Sequence, residues 1–485
     1  AAALLPPVAP GWPAVLFPGR ADAPPDAVAA ALGRIRAETL FWPAPRARAP
    51  RPRALAVDAA TLAAARAAHP DADIALSADP AAIDPERLEA VFAPPGPLRD
   101  RARLGGLATP GSGRPDPAVI LATAEGASPW TGEPLTLAEA VEAQALLRAA
   151  ALAARGPARL VAMTPWKRRC LRPFLTGPDG PPRRARRGDT RAPIVLWGAQ
   201  EGPADALRVE DGFLRSVGLG LRHTPPISLA IAPGPPHFDA TRRNAFEETV
   251  ARAAFTPALK ARAARLRGRV LALGLTKYNL DRGAPPPNAG GRLAVLAPGQ
   301  VETDASIRLG ARAVRSNLAL LEATRARFPD AFTLFKPHPD VETGLRPGRV
   351  AEAEALRFAD AVAPRAAIAA CLAWADRVAT ITSLAGFEAL LRGKAVTTFG
   401  RPFYAGWGLT DDADPPPRDR ALDLDALTAA TLILHARYVD PATGLPCPPE
   451  IAVEALARQM AAADLPRARL IRVWRDAVSW ALNRL

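Results

Sequence analysis

RVATITSLAGFEALLRGKAVTTF, residues 377–399, decides how this 485-residue chain folds. An apolar run over 377–381 stops at Thr382 and Ser383. A helical pattern covers 384–391, Gly393 and Lys394 break it, and a second apolar run fills 395–399. Two buried strands joined by a helix make the crossover that parallel strands need, since a tight hairpin cannot join them. The same alternation extends towards the N-terminus. Apolar runs at 332–335 and 293–296 flank a helical pattern at 311–327, and further runs stand at 159–163, 193–197 and 207–209. Turn-rich breaks lie at 283–291 (GAPPPNAGG) and 415–420 (PPPRDR), and the basic stretch 181–191 (PPRRARRGDTR) reads as a surface loop. The pattern predicts an α/β fold with two Rossmann-like lobes, roughly 157–283 and 291–425, facing a cleft.

Composition narrows the function. Hydrophobic residues make up 49% of the chain, enough for large cores. No apolar run approaches the roughly 20 residues that span a bilayer. The opening AAALLPPVAPGW lacks a basic n-region and a clean apolar h-region, so no signal peptide is expected, and the missing Met points to a trimmed or incomplete N-terminus. Three scattered cysteines, Cys170, Cys371 and Cys447, suggest a reducing compartment and no disulfide framework. No Cys/His spacing reads as a zinc site, and no metal is expected. The net charge of +14 comes almost wholly from Arg spread along the chain, with Ala and Pro also inflated. That is the signature of a GC-rich genome, so no nucleic-acid partner is expected; anionic substrates or an anionic membrane surface fit. Against this background the rare residues stand out. The five lysines are Lys167, Lys260, Lys277, Lys336 and Lys394, and the three tyrosines are Tyr278, Tyr404 and Tyr438. A Lys in an Arg-rich chain marks a place where a compact ammonium is wanted.

The polar motifs follow the carboxyl ends of the expected strands, where open α/β sheets bind ligands. VEDGFLRSVGLG (209–220) sets the acid pair Glu210 and Asp211 in a Gly-rich turn. PGQVETDAS (298–306) offers Glu302 and Asp304, one of which could be nucleophile or base; with Glu210 this gives the two carboxylates that retaining glycosyl chemistry uses. KPHPD (336–340) puts Lys336 and His338 on a proline-stiffened turn, suited to charge on a leaving phosphate. Thr382 and Ser383 open a helix whose N-terminus attracts phosphate, and Glu388 could accept from ribose hydroxyls. Arg215, Lys277 and Arg308 are candidates for the carboxylate of an acidic sugar.

Two further features concern the ends of the chain. At an offset of 312, PWTGEP (129–134) resembles PATGLP (441–446), AVEA (140–143) matches AVEA (452–455), and Phe92-Ala matches Tyr404-Ala. The first 150 or so residues therefore read as a shortened module without its own chemistry. Residues 467–485 form a basic amphipathic helix pattern with two Trp, either lying on a membrane surface or docked on its own domain.

Taken together, EDGFLRSVGLG (210–220), TKYNL (276–280), PGQVETDASIRLG (298–310), KPHPDVETGLRPG (336–348), TSLAGFEALLRGK (382–394) and PFYAGWGLTDD (402–412) resemble the capsule polysaccharide β-Kdo transferases of the KpsC/LipB type. The resemblance covers roughly 157–455, six motifs in the family's order. It implies a GT-B-like fold, with a second module present in full and only the tail of a first. It implies retaining transfer of Kdo from CMP-Kdo, without a metal or bound cofactor, to build a Kdo linker on a phosphatidylglycerol-type lipid for capsule export. Asp304 would be the nucleophile and Glu210 the acid/base. Lys336, His338, Thr382, Ser383, Glu388 and Gln300 would hold CMP, and Asp211, Arg215, Lys277, Arg308 and Tyr404 would face the sugar substrates. The implied partners are a CMP-sugar donor, a glycolipid acceptor, the inner membrane and a capsule export complex, with the chain cytoplasmic and peripheral on the inner face. One module alone would add a single residue. A transferase for another CMP-activated acidic sugar, or a non-catalytic export scaffold, stands as the alternative. The expected division is 1–155 (module remnant), 156–285 (N-lobe), 290–440 (nucleotide-sugar lobe) and 441–485 (C-terminal helices). Departures are VETDAS for the usual VEDDAS, SLAIAPGPPHFDA (228–240) for SLVLD…GIYYDA, and Ala379 where a His usually precedes the TS motif.

Overall fold

A computed structural model describes Leu5 and residues 12–18, 21–38, 40, 54–68, 74–77, 88, 90–94, 97–104, 107, 109, 117–154, 156–185, 193–219, 223–279, 283–342, 344 and 346–463. The amphipathic stretch 467–485 lies outside these residues, as does part of the basic loop at 181–191. The chain divides into two compact units. One holds 1–158, 175–183 and 442–447; the other holds 159–174, 184–441 and 448–485.

The first unit contains β1 (Leu16–Pro18), α1 (Pro25–Ala37), β2 (Ala54–Ala56), α2 (Ala59–Ala68), β3 (Ile74–Leu76), β4 (Ala90–Phe92), α3 (Pro97–Leu104), α4 (Pro117–Ala122), β5 (Ala124–Ala127), β6 (Pro134–Leu135) and α5 (Leu137–Ala153). β2 lies between β3 and β4 in a small parallel sheet, and β5 pairs antiparallel with β1 and β6. Leu16, Val28, Ile35, Leu55, Val91, Leu121, Val141 and Leu147 share one buried core. α5 starts at a capping box, Thr136 accepting from the Glu139 amide and Glu139 answering to the Thr136 amide, which satisfies two orphan donors of its first turn.

The second unit opens with β7 (Arg159–Leu160) and α6 (Pro165–Leu175); β8 (Arg183–Arg184) follows. Then come β9 (Ile194–Trp197), β10 (Leu207–Asp211), β11 (Ser228–Pro233), α7 (Ala245–Arg252) and α8 (Pro257–Ala272). The expected all-parallel sheet is only half right here. β7, β9 and β10 run parallel, but β11 returns antiparallel beside β10. Strand β10 also continues through Glu210 and Asp211, so the acid pair is strand, not turn. The reason is β11: residues 229–233 stand opposite all five residues of β10, and the pairing carries the acids into the ladder.

The second sheet matches the expectation closely. Its strands are β12 (Ala294–Pro298), β13 (Phe332–Lys336), β14 (Ala361–Val362), β15 (Arg377–Thr380), β16 (Ala395–Thr398) and β17 (Asp411–Asp412). They are all parallel, in the order β14-β13-β12-β15-β16-β17. By order of appearance that is 3-2-1-4-5-6, the doubly wound order, with its switch point between β12 and β15. Val295, Leu296 and Ala297 are fully buried because helices cover both faces of the sheet. The helices are α9 (Ala305–Gly310), α10 (Asn317–Arg327), α11 (Pro339–Glu342), α12 (Glu352–Ala355), α13 (Ile368–Trp374) and α14 (Leu384–Leu391).

The chain then returns to the first sheet through α15 (Leu424–Thr428), a π-helix (Ala429–His435) and β18 (Ala436–Val439), which pairs antiparallel with β11. After β19 (Pro446–Cys447), α16 (Pro449–Ala463) closes the described chain. Lys260 and Arg267 of α8 meet Asp423 and Asp425 at 2.6 and 3.1 Å, and Arg262 meets Glu450 of α16 at 2.8 Å. α15 and α16 are thus tied to α8 of the N-lobe. Two lobes within one unit make the GT-B-like architecture. The repeat is visible as well: α4, β5, β6 and α5 each begin 312 residues before the π-helix, β18, β19 and α16.

Candidate active site

One cleft of about 820 Å³ runs between the strand ends of the two lobes in the second unit. Glu210, Asp211, Arg215, Lys277, Gln300, Asp304, Arg308, Lys336, His338, Thr382, Ser383 and Glu388 all line it. Of the residues that the family resemblance assigned to the site, Tyr404 alone does not. Its side chain is fully buried, its hydroxyl donates to the Ser383 carbonyl, and its ring fills the space left by Gly386. Tyr404 is a strut under α14 and does not face substrate. A Cβ on Gly386 would come to 2.2 Å from the Tyr404 hydroxyl. Gly386→Ala is therefore expected to destabilise the protein by about 2–3 kcal/mol despite the better helix propensity of Ala. Denaturant unfolding checks this; an unchanged midpoint would contradict the packing described.

The first wall is built by β10. Glu210 is set into the cleft with protein around it, and its own Oε1 accepts from the Asp211 amide at 2.9 Å. Burial, and next the charge of Asp211, push its carboxyl up to about 7; the Asp211 amide and Lys277 pull the other way, and Asp304 adds to the rise. A carboxyl poised there can exchange a proton at neutral pH. Asp211 meets Arg215 at 2.7 Å, so each neutralises the other in a buried place. Lys277 sits deep beside them. Burial pulls its ammonium down, but Tyr278, Asp211 and Glu210 outweigh it and the ammonium is held above its usual range.

TKYNL is a knot that fixes this wall. Arg215 and Ser216 amides donate to the Lys277 carbonyl, the Lys277 amide donates to Glu388 Oε1 at 2.7 Å, and Asn279 reaches the Ser216 carbonyl at 3.1 Å. Asn279 adopts φ 48°, a left-handed conformation that Asn tolerates. One oxygen of Glu388 is thus engaged by backbone.

The second wall sits at the switch point. Gln300, after β12, accepts from the Thr382 amide at 2.9 Å and donates to the Thr382 hydroxyl at 3.0 Å, pinning the turns after β12 and β15 together. Gln300 is 7% exposed, so it shapes this end of the cleft by holding Thr382. Ser383 caps α14 through the Ala385 amide. Lys336 is 6% exposed and donates to the carbonyls of Pro337 and Pro364. His338 Nδ1 accepts from the Asp340 amide at 3.1 Å, leaving Nε2–H as a donor. Burial, then Lys277 and Lys336, lower the imidazole to about 4, so it is neutral at pH 7.

The structure also separates the two acids after β12. Glu302 accepts from the Asn317 amide at 2.8 Å and does not line the cleft. Asp304 lines it as N-cap of α9, with Oδ1 accepting from the Ala305 amide at 2.7 Å. Sequence reasoning did not assign Trp166, Lys167, Trp197, Arg346 or His237 to the site, yet all line the cleft. The scarcity of Lys was the signal for Lys167. His237 carries a departure from the family pattern; its ring packs 5.1 Å from Phe213 and 5.9 Å from His435.

A capsule polysaccharide biosynthesis protein family model matches residues 273–438, which hold the knot, Asp304, His338 and the TS turn. The KpsC of Thermosulfurimonas dismutans decides the matter: its beta Kdo 2,7 transferase is 31% identical, with a TM-score of 0.53 over 63% of this chain and 99% of that one. This chain belongs to the KpsC/LipB family of capsule proteins. The beta Kdo 2,4 transferase of the same organism matches almost equally, at 30% identity and a TM-score of 0.54 over 62% of this chain and 98% of that one. The capsule polysaccharide modification protein LipA of Neisseria meningitidis is 38% identical over 351 residues, 68% of this chain and 50% of LipA. The chain thus matches about half the length of that relative. Among the described residues no helix is long and apolar enough to cross a membrane, and no group of three or more His, Cys, Asp or Glu is placed to hold a metal.

Proposed function

We propose that this KpsC/LipB-family chain is a retaining glycosyltransferase that moves Kdo from CMP-Kdo onto a glycolipid acceptor, building the Kdo linker on a phosphatidylglycerol-type lipid. The observation that carries the reading is the placement of Glu210 and Asp304 on facing walls of one cleft, with His338 and the α14 N-terminus beside them. In the first step Asp304 attacks the anomeric carbon. The Asp304–carbon bond forms as the bond to the CMP phosphate breaks, and the electron pair leaves with CMP. The His338 Nε2–H and the N-terminus of α14 stabilise the departing phosphate, which needs no proton. In the second step the acceptor hydroxyl displaces Asp304 and hands its proton to Glu210. Two inversions return the original configuration. We assign no bound cofactor. Residues 1–155 are a module remnant in this reading, and the site works at the cytoplasmic face of the inner membrane beside the capsule export machinery.

Incubation with CMP-Kdo and a synthetic Kdo-lipid, followed by mass spectrometry and NMR of the product, tests the proposal. One added residue of retained configuration is expected. Inverted product would overturn the two-step route, and a long alternating chain would overturn the single-module reading. Release of CMP from another CMP-acidic sugar but not from CMP-Kdo would reassign the donor. Inertness towards all CMP-sugars would favour an export scaffold.

A further inference from the structure

Two histidines line the cleft, and the transfer chemistry gives a task to His338 but none to His237. The chain is shaped to bring His237 there. Ala230 and Ala232 of β11 stand opposite Glu210 and Arg208 of β10, and their small side chains leave room on that face of the sheet. Gly234, at φ 83°, turns the chain back after β11, and Pro235 and Pro236 join the two alanines around a small cavity of about 10 Å³. His237 follows, half-buried. It and Glu210 both line the cleft and both line this cavity, so the two residues are neighbours on one wall.

The ring of His237 is packed among carbon. The rings of Phe213, Phe238 and Phe403 lie 5.1, 5.6 and 5.6 Å from it. Its Nδ1 is buried, and no group among the described residues bonds to it. A buried polar atom left in that state is costly. His435, 5% exposed and with its ring 5.9 Å away, lines the same small cavity. The Thr249 hydroxyl donates to the Ala245 carbonyl at 2.9 Å and meets His435 Nδ1 at 3.2 Å. A hydroxyl has one hydrogen, so both contacts are satisfied only when His435 Nδ1–H donates to Thr249. His435 Nε2 then carries a lone pair that needs a donor. The cavity has the size of one water molecule, and a water there can bond His237 Nδ1 and give a hydrogen to His435 Nε2.

With Nδ1 turned inward, His237 offers its Nε2 edge to the cleft. Burial, and next the charges of His435 and Lys277, hold the imidazole well below its usual range, so it is neutral at pH 7. A sugar hydroxyl both donates and accepts, and it can therefore meet Nε2 in either tautomer. Position says which substrate brings the hydroxyl. The proposed base is Glu210, which takes the acceptor proton, and the donor phosphate is assigned to the opposite wall, at His338 and α14. A residue beside Glu210 meets the acceptor.

We propose that His237 is a specificity-determining contact of the acceptor site: its Nε2 hydrogen-bonds a hydroxyl of the acceptor sugar, while one water behind the ring joins its Nδ1 to His435. The proposal rests on the sugar-transfer reading for the identity of the acceptor, but its test does not require turnover.

Calorimetric titration without donor reads the contact directly, using a synthetic Kdo-lipid and the set of its monodeoxy analogues. His237→Phe, which suits a ring packed among phenylalanines, is expected to weaken the Kdo-lipid by about tenfold, the loss of one hydrogen bond. CMP, assigned to the other lobe, should bind the variant as it binds wild type. One monodeoxy analogue should bind wild type about tenfold more weakly than the parent and be indifferent to the substitution, because the group it lacks is the one His237 holds. A high-resolution crystal structure should show the water between His237 Nδ1 and His435 Nε2. Parent binding by His237→Phe that matches wild type, an equal loss against every analogue, a ring turned with Nδ1 to the cleft, or no binding of Kdo-lipid by wild type overturns the proposal. Binding with the expected hydroxyl dependence, in a protein that transfers nothing from CMP-Kdo, would instead sink the transfer reading and leave the contact standing.

Discussion

Asp304→Asn is expected to abolish transfer, by about four orders of magnitude, while leaving the fold intact. The reason is that Asp304 has two separable tasks. As N-cap of α9 it accepts the Ala305 amide through Oδ1, and Asn caps helices as well as Asp does. As a proposed nucleophile it must form an ester with the sugar, and an amide is too weak a nucleophile for that. The substitution therefore removes chemistry without removing structure. The measurement is intact-protein mass spectrometry after brief exposure to CMP-Kdo. Wild type should carry one sugar on a peptide containing residues 298–306, and the variant none, with thermal midpoints within about 2 °C. A variant that transfers at the wild-type rate would show that Asp304 is only a cap and would end the two-step mechanism.

The second lobe was legible because its strands are buried on both faces. Such strands read as unbroken apolar runs, and α14, expected at 384–391, occupies those residues. The first lobe was less so. Residues 228–233 join the sheet antiparallel, and β18 arrives from more than 200 residues away in sequence; neither pairing leaves a local pattern. That long-range pairing also turned an expected acidic turn into the end of a strand. At the site, composition helped where motifs did not. In a chain that uses Arg by default, three of the five lysines, Lys167, Lys277 and Lys336, came out in the cleft, while Lys260 pairs with Asp423 and Lys394 donates to the Ala373 carbonyl. Tyr404 shows the limit of such reasoning. Rarity marked it, but whether a tyrosine faces a cleft or props a helix depends on a close approach to Gly386 that no spacing reveals. Likewise, residue type and spacing left Glu302 and Asp304 as equals and only the family resemblance chose Asp304; the Asn317 amide, 15 residues on, is what engages Glu302.

Glu210→Gln should lower transfer by about a thousandfold and at the same time make the protein more stable in mild alkali. Both effects have one cause. The Glu210 carboxyl has its usual value of 4.5 raised to about 7 by burial and by Asp211. The native state thus holds a proton that the unfolded chain has already released. Its contribution to stability is full below pH 4.5 and is lost as the pH rises through 7, on the order of 2–3 kcal/mol across that window. Gln keeps the shape and stays neutral, so the variant avoids the loss: near parity with wild type at pH 4, and a higher unfolding midpoint at pH 8. Activity follows the opposite course. If Glu210 takes the acceptor proton, it works only as the carboxylate, so wild-type kcat/KM for acceptor should climb tenfold per pH unit below about 7 and level off above it. Initial rates across pH 5 to 9, beside denaturant melts of both proteins at pH 4 and pH 8, make the comparison. A wild-type profile that falls above pH 7 would recast Glu210 as the acid. A variant no more stable than wild type at pH 8 would mean that the carboxylate is solvated in the cleft, and that the poise assigned to it does not exist.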